Sequence, residues 1–398
     1  MGLQDTPNAN RVHIAFFGRR NVGKSSLLNA ITGQDIAIVS EVKGTTTDPV
    51  SKAMELLPLG PVLLIDTPGL DDEGTVGELR IKKTRQVLRK TDIAVLVTDG
   101  VLSALETELV ELFQAKKLPY LIVYNKSDLY TPQIETEQEI AVSAASGEHI
   151  TELKERLAVL ARKEENARRL IGDMLSPQDV VVLVTPIDSS APKGRMILPQ
   201  VQAIRDILDA CAVCFVTQTA QLAFVLEELK RPPRLVVTDS QDFGKVKAIV
   251  PETIPLTSFS ILFARLKGFL RTAAKGAAAV DSLKDGDTVL ICEGCTHHRQ
   301  CEDIGTVKLP NWIKKHTAKE LSFAFTSGGA FPEELSKEDY AMVIHCGACM
   351  LNEKEVQYRM HSAEDAGIPF TNYGTMIAYL NGILERSLNG IGMSLDRL

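Results

Sequence analysis

The chain has 398 residues, 44% of them apolar and 24% charged, with a net charge of −7 at pH 7. These proportions describe a globular protein with room for two or three domains. The acidic balance argues against a nucleic-acid partner, no apolar run reaches the ~18 residues of a membrane span, and no basic-then-apolar leader opens the chain, so a cytoplasmic protein without disulfides is expected.

The first predicted strand, residues 12–17, runs into Gly18-Arg19-Arg20-Asn21-Val22-Gly23-Lys24-Ser25-Ser26, and a helix follows over Ser25–Ile31. The glycines let backbone N–H groups wrap phosphates, Lys24 reaches the β/γ oxygens, and the Ser25 hydroxyl ligates Mg²⁺. A segment over 51–57 reads as an antiparallel edge partner of the strand at 62–65. That strand ends in Asp66-Thr67-Pro68-Gly69, where Asp66 can hold Mg²⁺ through water and the Gly69 amide can sense a γ-phosphate. Strands at 93–97 and 120–124 follow, the second leading into Asn125-Lys126-Ser127-Asp128. The Asp128 carboxylate matches the N1–H and N2–H₂ donors of guanine, which adenine lacks. Asn125 and Lys126 brace the base and its loop. A strand at 139–143 brings Ser143-Ala144-Ala145, whose backbone can meet guanine O6. One such motif alone is an ordinary βα turn; the ordered set, each member just after an apolar strand, predicts a GTP/GDP site.

This part resembles the TrmE/Era-like GTPases. The resemblance makes Gly44-Thr45-Thr46-Thr47-Asp48 a switch segment in which Thr46 closes on Mg²⁺ and γ-phosphate. Leu70 stands where Ras-like proteins place a water-orienting Gln, so intrinsic hydrolysis is expected to be slow or helped from elsewhere. Asn21 occupies the position where potassium-stimulated members carry an Asn, which points to K⁺; plain turn chemistry is the other reading of that residue.

A charged stretch at 161–169 and Ser176-Pro177 mark the end of this P-loop domain near 170. Strands at Val180–Val184, Val213–Val216 and Leu235–Val237, with helices over Pro199–Ala210 and Gln218–Lys230, form a smaller α/β domain over 178–262. It carries no catalytic constellation, so an oligomeric role is expected. Cys211 and Cys214 read as packing residues. A helix over Ile261–Leu270 opens a third α/β domain, 263–398, with strands at Thr288–Cys292, Leu321–Phe325 and Met342–His345. No internal repeat is evident.

Five of the seven cysteines lie between 292 and 349. Cys292-Glu293-Gly294-Cys295-Thr296-His297-His298 and His345-Cys346-Gly347-Ala348-Cys349 each follow a strand, and parallel strand ends converge on one edge. Thiolates at this density in a reducing compartment point to metal. Four cysteines suit zinc, iron–sulfur clusters use the same ligands, and spacing alone does not choose.

Cys295-Thr296-His297 with His345-Cys346-Gly347-Ala348-Cys349, joined to an N-terminal GTPase, resembles the [FeFe]-hydrogenase maturation GTPase family over all three domains. The resemblance implies a [4Fe–4S] cluster on Cys295, Cys346 and Cys349, with Glu293, His297 and His345 as candidates for a fourth position. Cys292 and Cys301 stand outside the family motif. It further implies a homodimer that receives a transient di-iron precursor from radical S-adenosylmethionine maturases and delivers it to apo-[FeFe]-hydrogenase. The rival reading is a GTPase switch with a structural zinc domain in ribosome or RNA maturation. A redox enzyme would need a nicotinamide or flavin fingerprint, and none is present.

Overall fold

The computed structural model describes residues 6–34, 50–69, 83–164, 169–186, 196–294 and 303–394. The switch segment with Thr46, Leu70, and the stretch with Cys295, His297 and Cys301 lie outside these residues. The chain divides into two compact units, 1–166 and 167–398.

The first unit is built on a six-stranded sheet. Its strands are β1 (Val12–Phe17), β2 (Val50–Leu56), β3 (Gly60–Asp66), β4 (Ile93–Thr98), β5 (Tyr120–Tyr124) and β6 (Glu139–Ala141). Their order is β2-β3-β1-β4-β5-β6, parallel except for β2, which pairs antiparallel with β3 at the edge as the sequence predicts. Parallel strands covered on both faces read as unbroken apolar runs, and the period of two then divides each run between two cores. Ile14 and Phe16 of β1 join one core with Leu64 and Val95, while Ala15 and Phe17 join the other with Ile65 and Leu96. In register, Phe16 stands opposite Asp66, and Thr67 N–H reaches the Phe16 carbonyl at 3.2 Å. The segments after β1 and β3 therefore emerge side by side.

The second unit holds two four-stranded parallel sheets. One contains β7 (Val180–Val184), β8 (Val213–Thr217), β9 (Leu235–Thr238) and β10 (Leu256–Ser258), in the order β10-β9-β7-β8. The other contains β11 (Thr288–Glu293), β12 (Ser322–Ser327), β13 (Met342–His345) and β14 (Phe370–Asn372), in the order β12-β11-β13-β14. Counted within each sheet, both orders are 2-1-3-4, a shared topology without a visible sequence repeat. One contiguous apolar core runs through both sheets, from Val182 and Val237 to Ile291 and Ile344. The α/β class expected from the sequence holds.

Four elements differ from expectation. The predicted helix over Ile261–Leu270 is two helices, Phe259–Leu266 and Leu270–Ala277. Gly268, at φ +76°, ends the first, with Phe269 N–H on the Ala264 carbonyl and Gly268 N–H on the Arg265 carbonyl; a glycine in that conformation closes a helix without steric cost. The predicted helix over Gln218–Lys230 shortens to Leu222–Glu228 after a single 3₁₀ turn. Each sheet also gains a fourth strand, β10 and β14. Each of these two runs straight into a helix capped by its last residue: Ser258 Oγ accepts from Ile261 N–H, and Asn372 Oδ1 from Thr375 N–H.

Candidate functional site

The nucleotide cleft forms where β1, β3, β4 and β5 end. Gly18 has φ +143°, and a Cβ there would stand 2.1 Å from the Val97 carbonyl oxygen. Gly23 has φ +92° and initiates the helix Lys24–Thr32. A Cβ on Gly23 would lie 2.3 Å from Asn125 Nδ2. The two glycines thus let the loop pack on β4 and on the segment 125–128, with amide groups at a helix N-terminus available for phosphate.

Asn125, 2% exposed, joins three pieces of this cleft. Its Nδ2 donates to the Val22 carbonyl at 2.9 Å, and its Oδ1 accepts from Ala144 N–H at 3.0 Å. Lys126 Nζ donates to the Asn21 carbonyl at 3.0 Å and to Asp99 Oδ2 at 2.6 Å. Asp128 is exposed, and its Oδ1 accepts from the Ser143 hydroxyl at 2.6 Å. Ala144 and Ala145 are partly or fully exposed beside it, and Ser26 is exposed on the first turn of the helix. The loop 18–26, the segment 125–128 and the 143–145 turn are brought together, as the order of motifs leads one to expect.

The metal side of the cleft is equally defined. Ser25 Oγ donates to Asp66 Oδ2 at 2.7 Å, whereas the buried Asp66 Oδ1 has no hydrogen-bond partner among the described residues. Burial raises the Asp66 carboxyl above its ordinary range, opposed by the Ser25 hydroxyl and the Lys24 cation. A buried, orphaned carboxylate oxygen beside a hydroxyl is a donor set that suits Mg²⁺. Lys24 Nζ donates to the Gly18 and Arg19 carbonyls at 2.9 and 2.7 Å. A Cβ on Gly69 would lie 2.9 Å from Arg20 N, so this segment approaches the phosphate loop at backbone distance.

Asn21 adopts φ +64°. Asn tolerates this left-handed region, so turn chemistry accounts for the residue whether or not an ion binds there. Two supports were invisible in the sequence. Arg19 Nε donates to Glu106 Oε1 at 3.1 Å and Arg19 Nη2 to Asp99 Oδ1 at 3.2 Å. Asp99 thereby couples the phosphate loop to Lys126; its position just after β4 was the available signal.

The second site lies at the ends of β11 and β13, where the strand order of their sheet reverses, the place where open α/β sheets bind ligands. Cys292 is in register with His345, and Cys346 N–H donates to the Cys292 carbonyl at 2.8 Å. Cys346 Sγ accepts from Gly294 N–H at 3.1 Å and from Ala348 N–H at 3.4 Å. Ala348, at φ +57°, folds the Cys346–Cys349 loop back on itself. Both cysteines are partly exposed as residues, yet their sulfurs are enclosed: burial raises the Cys346 thiol and pushes Cys349 up to about 11. Lys267, 5% exposed, donates to the Leu351 carbonyl. Burial brings its ammonium down to about 8, against the pull of Cys349 and Cys346. Paired backbone N–H donors and an enclosed cation are the surroundings that metal-bound thiolates need.

The other candidates separate. Glu293 is buried at the end of β11, where Tyr373 Oη donates to its Oε1 at 3.2 Å. Cys292 is fully buried, and its thiol is pushed up to about 12 by burial. His345 is fully buried and lowered to about 3, first by desolvation and then by Arg359. Among the described residues no three His, Cys, Asp or Glu side chains converge on one metal position; Cys295 and His297 are not among them. No pattern in the sequence points to Lys267 or Arg359.

Comparison with known proteins reaches both units. A family model described as Hydrogen maturase F dimerization domain matches residues 170–268, and one described as Hydrogen maturase F tetramerization domain matches 271–390. Together they span more than half of the chain. A third, 50S ribosome-binding GTPase, matches 13–126. GTPase Der of Wolinella succinogenes is 35% identical over 193 residues, 44% of this chain and 40% of that protein. The tRNA modification GTPase MnmE of Bordetella petrii is 36% identical over 154 residues, 38% of this chain and 34% of that protein. The chain therefore spans less than half the length of these curated relatives. A crystal structure of a probable GTP-binding protein engB aligns over 38% of this chain and 100% of that one, at 22% identity and a TM-score of 0.32.

Proposed function

This chain belongs to the hydrogen maturase F family and carries a GTPase domain, and from that premise we propose that it is a GTP-hydrolysing scaffold in [FeFe]-hydrogenase maturation. It binds a [4Fe–4S] cluster, takes up a di-iron precursor from radical S-adenosylmethionine maturases, and passes it to the apo-hydrogenase. The observation that carries this reading is the pair of enclosed cysteines, Cys346 and Cys349, at the strand-order reversal of the second unit. Neither is needed by a nucleotide cleft.

In the GTPase domain, Asp128 selects guanine. Lys24 exchanges the Gly18 and Arg19 carbonyls for phosphate oxygens, and the Gly69 amide meets the γ-phosphate. Ser25 and Asp66, joined by Thr46, would hold Mg²⁺, which would supply positive charge to offset that of the phosphates. Asn21 lends its side-chain oxygen to K⁺. In the second unit Cys295, Cys346 and Cys349 hold the cluster. N–H groups of Gly294 and Ala348 stabilise the Cys346 thiolate, and Lys267 offsets the charge of the pair. Three protein thiolates would leave one position on the cluster without a protein thiolate, which suits a carrier better than a closed four-thiolate site.

The family descriptions name dimerization and tetramerization domains. We assign the dimer contact to β8, an edge strand with Val213, Phe215 and Val216 exposed at 45%, 42% and 45%. The test of the function is anaerobic reconstitution followed by metal and sulfide analysis, EPR, and transfer to apo-hydrogenase. Iron with acid-labile sulfide and restored hydrogen evolution are expected; stoichiometric zinc without sulfide would replace this reading with a structural metal.

A further inference from the structure

His345 is the last residue of β13 and precedes Cys346, which would make its imidazole an obvious ligand for the open iron. Its surroundings say otherwise. Arg359 Nη1 stands 3.2 Å from His345 Nε2. A guanidinium has donors only, so Nε2 must accept and the ring proton must sit on Nδ1. His345 Nδ1 lies 3.0 Å from the Cys346 carbonyl oxygen, which can only accept. The two contacts demand the same tautomer, and together they commit both ring nitrogens to the protein.

Arg359 is itself fixed on every side. It is 1% exposed, among the largest fully buried side chains in the molecule. Its Nε donates to Glu355 Oε1 at 2.8 Å and its Nη2 to the Gly328 carbonyl at 2.6 Å, and the guanidinium lies 5.2 Å from the centroid of the Phe331 ring. The helix Glu353–Asp365 supplies both Arg359 and Glu355. On its other side the His345 ring meets Phe370, with centroids 6.1 Å apart. Enclosing a cation this completely costs more than an apolar residue of the same volume would, and what the arrangement secures is the orientation and tautomer of one histidine.

We propose that Arg359 is a positioning residue that withholds His345 from the metal, so that the coordination position left by the three cysteines is not closed by this imidazole. The inference rests on the cluster reading above. It also gives His345 a different role, in which its Nδ1–H on the Cys346 carbonyl braces the start of the cysteine loop against the core. Of the three candidates for the fourth position it removes one, leaving Glu293 and His297.

Two measurements on the full-length protein test this. The first uses metal-free protein labelled with ¹⁵N-histidine, in which long-range ¹H–¹⁵N NMR reads the tautomer of His345, assigned by its disappearance in His345→Gln. The Nδ1–H form is expected, and an Nε2–H form overturns the proposal. No cluster is needed, so this result stands even if reconstitution yields no iron and sulfide, an outcome that would instead sink the cluster reading. The second is pulsed EPR of the reduced, reconstituted protein. His345→Gln should leave the histidine nitrogen couplings unchanged. Arg359→Met should add an imidazole coupling that vanishes in the Arg359→Met, His345→Gln double variant. Loss of a coupling on His345→Gln alone, or no new coupling in a folded, iron-loaded Arg359→Met protein, overturns it. Should Arg359→Met not fold, the tautomer and the His345→Gln spectrum decide.

Discussion

Asp128→Asn tests the guanine assignment, and the structure sets both its direction and its size. The Ser143 hydroxyl donates to Asp128 Oδ1 at 2.6 Å. In the substituted side chain the amide oxygen keeps that place, because Ser143 Oγ already accepts from Ser146 N–H at 3.1 Å and turns its proton to an acceptor. The NH₂ group is then turned toward the base, where guanine presents N1–H and N2–H₂, both donors. Two charge-assisted hydrogen bonds of about 1.5–3 kcal/mol each are lost, so the dissociation constant for GDP and GTP should rise by about two to four orders of magnitude. Xanthine carries a carbonyl where guanine has its amino group, so xanthosine nucleotides should bind better to the variant than to the unaltered protein. Asp128 is exposed, so the fold should be unaffected. Competition between xanthosine and guanosine diphosphates for a fluorescent nucleotide measures both changes. Unchanged affinity for both would refute the assignment of Asp128 to the base.

Potassium should accelerate GTP hydrolysis several-fold over sodium at equal ionic strength. Asn21→Gly, which accepts φ +64° without strain, should erase the difference; a potassium effect that survives it rejects Asn21 as the ligand. Covering the rest of Phe215, 42% exposed, is worth about 2 kcal/mol in each protomer. Phe215→Ser should therefore weaken the dimer about a thousandfold in sedimentation, and an unchanged mass at low concentration rejects the β8 contact. Cys346→Ser or Cys349→Ser should lose most of the iron while GTP hydrolysis persists, and Cys292→Ser should retain it. Equal losses for Cys292→Ser would mean a closed four-thiolate site and end the exchangeable-iron mechanism. In metal-free protein, burial holds the Cys349 thiol near about 11 and Cys292 near about 12. Each stays protonated, hence unreactive, until pH approaches these values. Among the cysteines of the described residues, site-resolved alkylation at pH 7 should then reach the exposed Cys211 first, and faster modification of Cys349 would contradict its enclosure.

Much of the nucleotide cleft was legible because its chemistry follows directly on long buried strands. A parallel strand covered on both faces is apolar throughout, so β1, β3, β4 and β5 announce themselves, and residues just past their ends must share one edge. The same logic found β11 and β13 and placed Cys346 beside Cys292. It failed for β10 and β14. These have three residues each, and Thr, Ser and Asn make up most of them. Their burial comes from the sheet and from capping the next helix, not from an apolar pattern. It also failed at Gly268, where one left-handed glycine splits an otherwise continuous helical period.

By itself, the sequence determined the candidate nucleotide cleft, the order of its elements and the identity of the thiols, because each of these is carried by residues close together in the chain or by strand ends that a parallel sheet must align. Only the tertiary structure decided what those groups are free to do. The two sheets of the second unit share one core and one topology with no repeat in the sequence, because many apolar sequences satisfy the same buried positions. Nothing in the sequence sets Lys267 or Arg359 apart; folding carries one to the Cys346–Cys349 loop and the other onto His345 Nε2. Their partners lie on elements distant in the chain or across the sheet, and no local spacing encodes a contact of that kind.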